Sequence, residues 1–266
     1  MPIFWFAIGR LRDRNWPRIT LIFFILHLLV YPASNGYNSY MDRDEGSIGG
    51  LKNPAQPTRQ LFVFTVAMDL AAIGLGMLVS AWFTLGLAAY IGASRAYSAR
   101  SIRIKKHPFW GYLTVVFFQG AGTFFLVYHG GNESLTLDVP AAPMLASSLL
   151  VGGFYPLTQV YQHDADLKDG VRTISWRLGI RGTFVFSAII FGLAMGMLGC
   201  YFRRSGELNK FVLLSSLMAP ILVYFMYWAR QVWLDSGMAS FEKTMKMNLL
   251  ASCCMNLAFI AQCLMK

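Results

Sequence analysis

Charge is scarce in this 266-residue chain: 14% of residues are Asp, Glu, Lys or Arg and 56% are hydrophobic. A typical soluble domain carries ~25% charged residues. Too little polar surface remains to solvate a folded chain of this size, which excludes a soluble globular protein. Long polar stretches are also missing: none between the apolar runs exceeds twenty residues, so no aqueous domain is present. Alternating polarity at ten-residue spacing is absent, which argues against an outer-membrane barrel. The four cysteines, Cys200, Cys253, Cys254 and Cys263, all sit inside apolar runs. There they read as helix-packing residues, not as a disulfide or zinc framework. No basic region precedes the apolar start and no small-residue cleavage site follows it, so a secretory signal is not indicated.

What the chain does have is apolar runs of about 20 residues, enough to cross a ~30 Å hydrocarbon core. They lie near 18–40, 60–79, 81–98, 109–129, 142–162, 183–202, 211–232 and 247–265. The expected fold is all-α: a polytopic membrane bundle of eight full spans, forming one transmembrane domain over residues 1–266. Residues 1–9 are apolar but too short to span. They read as the second half of a longer first span beginning upstream of Met1, with a short interfacial helix as the alternative.

The net charge of +10 is unevenly placed. Put the ends of the first and fifth spans on one side, and fifteen of the 23 Lys and Arg residues fall there, including Arg43, Lys52, Arg95, Arg100, Arg103, Lys105, Lys106, Lys168 and Arg172. The positive-inside bias makes that side cytoplasmic. The expected location is a bacterial inner membrane with these loops in the cytoplasm, and the basic excess needs no nucleic-acid partner. A cluster of Arg10, Arg12, Arg14 and Arg18 falls on the poorer side.

Acid is scarcer still, and six of the thirteen carboxylates occupy two matched segments 124 positions apart. The first reads Tyr31-Pro32-x-Ser34-Asn35-x-Tyr37-Asn38-x-x-x-Asp42-x-x-Glu45-Gly46. The second reads Tyr155-Pro156-x-Thr158-Gln159-x-Tyr161-Gln162-x-x-x-Asp166-x-x-Asp169-Gly170. Asp44 and Asp164 complete the clusters. Acids are costly in a membrane chain, so matched acids at span ends indicate a functional site. Helical spacing puts Asn38 beside Asp42, and Gln162 beside Asp166, on one face of each span. Four crossings separate the copies, which places both on the same side and makes the repeat parallel: two pseudo-repeats of about four helices around a central cavity.

Opposed carboxylates repel unless a cation lies between them. Hard oxygens from Asp, Asn and Gln suit Mg²⁺, which takes only one or two carboxylates per ion and completes its shell with water and phosphate. The expected ligand is therefore a magnesium-bound phosphate or diphosphate. A basic segment, Ser94-Arg95-x-Tyr97-Ser98-x-Arg100-x-x-Arg103-x-Lys105-Lys106, ends the third span on the same side and supplies phosphate donors. Asp69, alone in the second span, reads as half of an interhelical pair or as an acceptor-binding group; Gln119 and Asn248 read as interhelical hydrogen-bonding groups.

At these residues the chain resembles the UbiA superfamily of intramembrane prenyltransferases. The family's first motif, N-x-x-x-D-x-x-x-D, is met by Asn38 and Asp42, and the last acid of its second, D-x-x-x-D, by Asp166. Gly170-Val171-Arg172-Thr173 and Trp176-Arg177-Leu178-Gly179 resemble its continuation G-x-R-T…R-L-G. Position 46 is Gly and position 162 is Gln, where the family pattern has acids. The resemblance covers nearly the whole chain, and the family's nine spans would require the upstream extension. It implies Mg²⁺-dependent transfer of an isoprenoid chain from a prenyl diphosphate to a lipophilic acceptor in the bilayer, through an allylic carbocation. It assigns metal ligation to Asp42, Asp44, Glu45, Asp164, Asp166 and Asp169. Catalysis falls to Asp42, Asp166, Asn38, Arg95 and Tyr97, and diphosphate binding to Lys52, Arg100, Arg103, Lys105, Arg172, Gln162 and Tyr161. Tyr37, Tyr97 and Tyr161 are the expected rings facing the cation. A membrane terpene cyclase of the same superfamily and a non-enzymatic transporter are the competing readings.

Overall fold

A computed structural model of the chain describes residues 1–43, 47 and 50–265. Asp44 and Glu45, two of the expected metal ligands, lie outside the described residues. Among those residues there is no β-strand, only an isolated bridge between Arg14 and Asn132. The helices are α1 (Pro2–Arg10), α2 (Trp16–Asp42), α3 (Arg59–Gly76), α4 (Ala81–Ser98), α5 (Pro108–Gly131), α6 (Ala141–Gln159), α7 (His163–Lys168), α8 (Ile174–Arg204), α9 (Leu208–Leu234) and α10 (Phe241–Leu264). Seven of them, α2, α3, α5, α6, α8, α9 and α10, are long and apolar enough to cross a membrane. The 18-residue α4 takes the remaining predicted position. The architecture is an all-α membrane bundle.

Local chemistry sets the boundaries. Asn15, Ser80, Thr173 and Ser240 each cap a helix by accepting the backbone N–H three residues on. Pro32 cannot donate to the turn before it. The helix absorbs this with a π-widened stretch, Ile25–Val30, after which the Tyr31 N–H bonds Leu26. Pro156 acts differently. It tightens Tyr155–Gln159 into a 3₁₀ turn that ends the span, and the chain restarts as α7. The two motif copies therefore differ: the first follows one helix as far as Asp42, whereas the second is split between the end of α6 and α7. The expectation that Gln162 and Asp166 continue the face of a single span is corrected by this break. Gly179 interrupts α8 with φ 71° and ψ 167°, a conformation open to glycine and strained for any side chain.

Large apolar side chains such as Phe64, Leu70, Trp82, Leu85 and Val223 are exposed on the outer surface, as lipid contact requires. Inside, small residues and aromatics pack tightly, the contact that holds helices together where lipid removes the hydrophobic drive. The nine-residue α1 is too short to cross a bilayer, yet it is buried: Phe4, Phe6, Ala7 and Ile8 are almost fully covered. Phe6 stacks on Phe259 of α10, centroids 4.7 Å apart, and meets Phe124 of α5 edge-on.

Two polar ends separate. At one, Arg10 pairs with Glu207 at 2.7 Å and lies over the Phe202 ring, and Arg18 donates to the Asn132 and Glu133 carbonyls at 2.6 and 2.8 Å. Arg10 and Arg18 of the cluster on the poorer side are thus bound within the fold instead of serving as free flanking charge. The other end carries both motif copies. There α2 and α4 run parallel: Ser34 bonds Ser94, and one turn on Ser98 donates to Asn38 at 2.5 Å.

Candidate active site

The first copy is aimed by its neighbours. Ser98 fixes the Asn38 amide, and Arg100 Nε donates to the Met41 carbonyl at 2.8 Å. Asp42 closes α2, with Arg43 in the left-handed region beyond it. The second copy reaches the same place by another route. Tyr155 bonds Tyr97 through the two hydroxyls and accepts from Gln159 at 2.9 Å, tying the end of α6 to α4. Gln162 Nε2 donates to the Ser47 carbonyl at 3.4 Å, joining the second copy to the loop after the first.

Between them lies a cavity of about 960 Å³, the upper end of the size typical for ligand sites. Asn38, Asp42, Tyr97, Lys105, Tyr161, Gln162, Asp164, Asp166 and Asp169 all line it. Nine of the candidate residues drawn from the sequence thus converge. Behind this lining stand Arg103, which pairs with both Asp169 and Asp42, and Arg100, whose Nη1 is 3.7 Å from Asp169. Lys105 pairs with Asp42, and both side chains are nearly covered, at 9% and 6% exposure.

Three expected phosphate-binding cations lie elsewhere. Lys52 makes an exposed pair with Glu242 at 2.8 Å. Arg172 sits over the Trp176 ring, 5.1 Å from its centroid. Arg95 is turned to α3, where Nε donates to Asp69 at 2.7 Å and two further N–H groups reach the Thr65 hydroxyl and carbonyl. Its guanidinium also stands 4.0 Å from the Tyr37 centroid. Asp69 is therefore half of an interhelical pair, and the cluster fixes α3 and α4 against the helix bearing Asn38 and Asp42. Removing one member strands the other in a medium of low polarity, at a cost of about 3–5 kcal/mol. Asp69→Ala should accordingly lower the thermal midpoint in detergent, and Asp69→Ala/Arg95→Met should recover most of it; equal midpoints for wild type and Asp69→Ala would refute this pairing.

Several lining residues escaped the sequence reading: Arg43, Lys168, Tyr90, Phe118, Thr114 and Val115. Tyr90 carried a usable signal, seven residues and two helical turns before Tyr97 on the same face. Tyr90 meets Phe118 edge-on at 5.9 Å, giving the cavity an aromatic wall. Gln119 and Asn248 line the cavity too. Charged lining groups belong to the motif segments and the α4–α5 connection, while hydroxyls, amides, rings and small apolar side chains line the rest.

His163 opens α7 and bonds the Ser175 hydroxyl at 2.8 Å. Burial holds its imidazole below the usual 6.5, against the pull of Asp164. The folded state thus favours the neutral ring, and an unfolded chain takes up the proton first as pH falls through 6.5. Stability should decline between about pH 7 and pH 5, and His163→Asn should flatten that decline in thermal unfolding. A pH profile unchanged by the substitution would contradict it.

Hard-oxygen donors surround the cavity. Among the described residues no three acids, histidines or cysteines converge on a metal position. Mg²⁺ needs only one or two carboxylates when water and phosphate complete its shell, so the donor set fits the ion.

Comparison with known proteins agrees with this arrangement. The model of the UbiA prenyltransferase family matches residues 1–250. The apo structure of a UbiA homologue from Aeropyrum pernix K1 superposes with a TM-score of 0.75 at 17% identity, over 98% of this chain and 95% of the other. A UbiA homologue from Archaeoglobus fulgidus bound to DMAPP and Mg²⁺ superposes at 0.65 with 17% identity, covering 98% and 93%. A structure described for digeranylgeranylglyceryl phosphate synthase gives 0.64 at 15% identity, covering 98% and 91%. No curated protein matches the sequence significantly. With its helical membrane bundle and a family match over nearly its whole length, the chain belongs to the UbiA prenyltransferase family.

Proposed function

We propose that the chain, acting as one transmembrane domain over residues 1–266, transfers an isoprenoid group from a prenyl diphosphate to a lipophilic acceptor within the bilayer. The observation that carries this reading is the meeting of both motif copies on one cavity. Its polar rim suits a diphosphate and its ringed interior an allylic chain.

Asp42 and Asp166 would hold Mg²⁺ together with Asn38, while Asp164 and Asp169 would add negative charge at the rim. The bound ion would neutralise the diphosphate and stabilise charge as it leaves. Lys105 and Arg103 would donate to the phosphate oxygens, a preorganised role because both are already fixed beside Asp42. Arg95, committed to Asp69 and Thr65, would position the first motif instead of binding phosphate. The prenyl C1–O bond breaks with its electron pair passing to the diphosphate. The faces of Tyr90 and Phe118 would stabilise the resulting cation and keep water from it. The acceptor supplies the electron pair of the new bond and gives up a proton, for which the rim carboxylates are the nearest bases. The basic excess at this end supports a cytoplasmic cavity mouth.

Purified protein in nanodiscs, given dimethylallyl diphosphate and a membrane lipid extract, should release pyrophosphate only with Mg²⁺, and mass spectrometry should find a prenylated lipid. Absence of release, or release unaffected by a strong chelator, would overturn the proposal.

A further inference from the structure

Opposed acids of two motif copies call for a cation between them, and in the structure a side chain stands there. Arg103 Nη2 pairs with the Asp169 carboxylate and lies 3.9 Å from Asp42 Oδ1, while Nη1 donates to the Asp169 carbonyl at 3.1 Å. One guanidinium thus spans the first copy and the second. Lys105 pairs with the same Asp42 oxygen. Only 12% of the Arg103 side chain and 6% of the Asp42 side chain are exposed, so water screens these contacts little.

The backbone is bent to make this bridge. Arg103 adopts φ 51°, in the left-handed region, and so does Arg43 directly after Asp42 at φ 52°. Side-chain-bearing residues enter that region at a cost and persist there when their surroundings demand it. In this case the bend at Arg103 starts the short turn Ile104–Lys106 that brings buried Lys105 to Asp42.

Sequence departures agree. Positions 46 and 162, acids in the family pattern, are Gly and Gln. Acids there would add two negative charges, the charge of one further divalent ion. Gln162 instead donates to the Ser47 carbonyl, a bond no carboxylate could make.

We propose that this chain binds its prenyl diphosphate with a single divalent cation, Arg103 and Lys105 standing where a second would otherwise be needed; this rests on the function proposed above. A guanidinium suits the task. Its donors point outward in a fixed fork, so it can hold a carboxylate on one side and present N–H groups to a phosphate on another.

The test counts ions without turnover. Wild-type protein in nanodiscs is titrated with Mn²⁺, followed by electron paramagnetic resonance, with and without dimethylallyl S-thiolodiphosphate, in which sulfur replaces the ester oxygen. One tightly bound Mn²⁺ per chain, appearing with the probe, is expected. Arg103→Ala should weaken probe binding at saturating Mn²⁺ by tenfold or more, and Arg103→Lys, which keeps the charge and guards against misfolding, should recover most of that loss. Two probe-dependent ions in the wild type, or unchanged probe affinity in Arg103→Ala, would overturn the single-ion proposal while leaving the proposed function intact. No probe-dependent ion at all would overturn the function itself, and this inference with it.

Discussion

Asp42→Asn is expected to lower turnover by about 100- to 1,000-fold, the loss seen when one preorganised electrostatic contact to a reacting group is removed. The variant also has a structural consequence that has to be separated from the chemical one. Asp42 neutralises Lys105, and both are almost covered. Stranding a buried ammonium costs about 3–5 kcal/mol, so loss of activity alone could reflect loss of fold. The double variant Asp42→Asn/Lys105→Met removes both charges. It should regain most of the thermal midpoint lost by the single variant while turnover stays at or below the single variant's level, because Lys105 is also a phosphate donor. If the double variant recovers turnover along with stability, Asp42 is a structural residue.

Asp166→Asn is expected to have the second largest effect, again on the order of 100-fold in turnover, together with a higher Mg²⁺ concentration for half-maximal rate. Asp166 lines the cavity from α7 and is partly covered, whereas Asp164, two residues earlier, is exposed. Neighbouring acids on one short helix thus offer an internal contrast. Asp164→Asn should change turnover by no more than a few-fold. Equal losses in the two variants would mean that net charge at the rim matters and not the place of one carboxylate. Because Asp166 stands between the turn at Gln162 and the Gly170 bend, its variant should be checked for α7 integrity through the His163–Ser175 contact.

The helices were legible because each apolar run announces its own span, and the predicted boundaries fall close to the observed ends. Span 183–202 is the main exception. Its helix begins at Ile174, capped by Thr173, since the polar residues before 183 also form helix outside the apolar run. The doubled motif was legible for another reason: identical or chemically matched residues recur at the same offsets even though Pro32 and Pro156 have different effects on the backbone. That difference itself was not legible. A proline late in a span can be absorbed by upstream π-widening or can end the helix, and the choice depends on packing across α2 and α6.

Pairing was harder to read. Asp69 and Arg95 belong to different helices, and their meeting depends on how α3 rotates against α4. The same chemistry that makes Arg95 a good phosphate ligand makes it a good partner for a buried carboxylate. Arg103 was visible as a basic residue, but its position between two acids depends on the left-handed bend after α4. The cavity wall was hidden for a simpler reason. An aromatic ring facing lipid and one facing a cavity look alike in sequence, so Tyr90 and Phe118 could not be told from Phe109 and Trp110, which are exposed.

Side-chain oxygens from both motif copies are proposed to hold one diphosphate across one cavity through a divalent ion. The most direct measurement is a structure of the chain with dimethylallyl S-thiolodiphosphate and Mn²⁺, the ion located by its anomalous scattering. Mn²⁺ is expected within coordinating distance of oxygens of both Asp42 and Asp166, with the diphosphate bound to it and touching Lys105 and Arg103. A diphosphate bound at the opposite end, beside Arg10 and Arg18, or one held by a single motif copy, would contradict it.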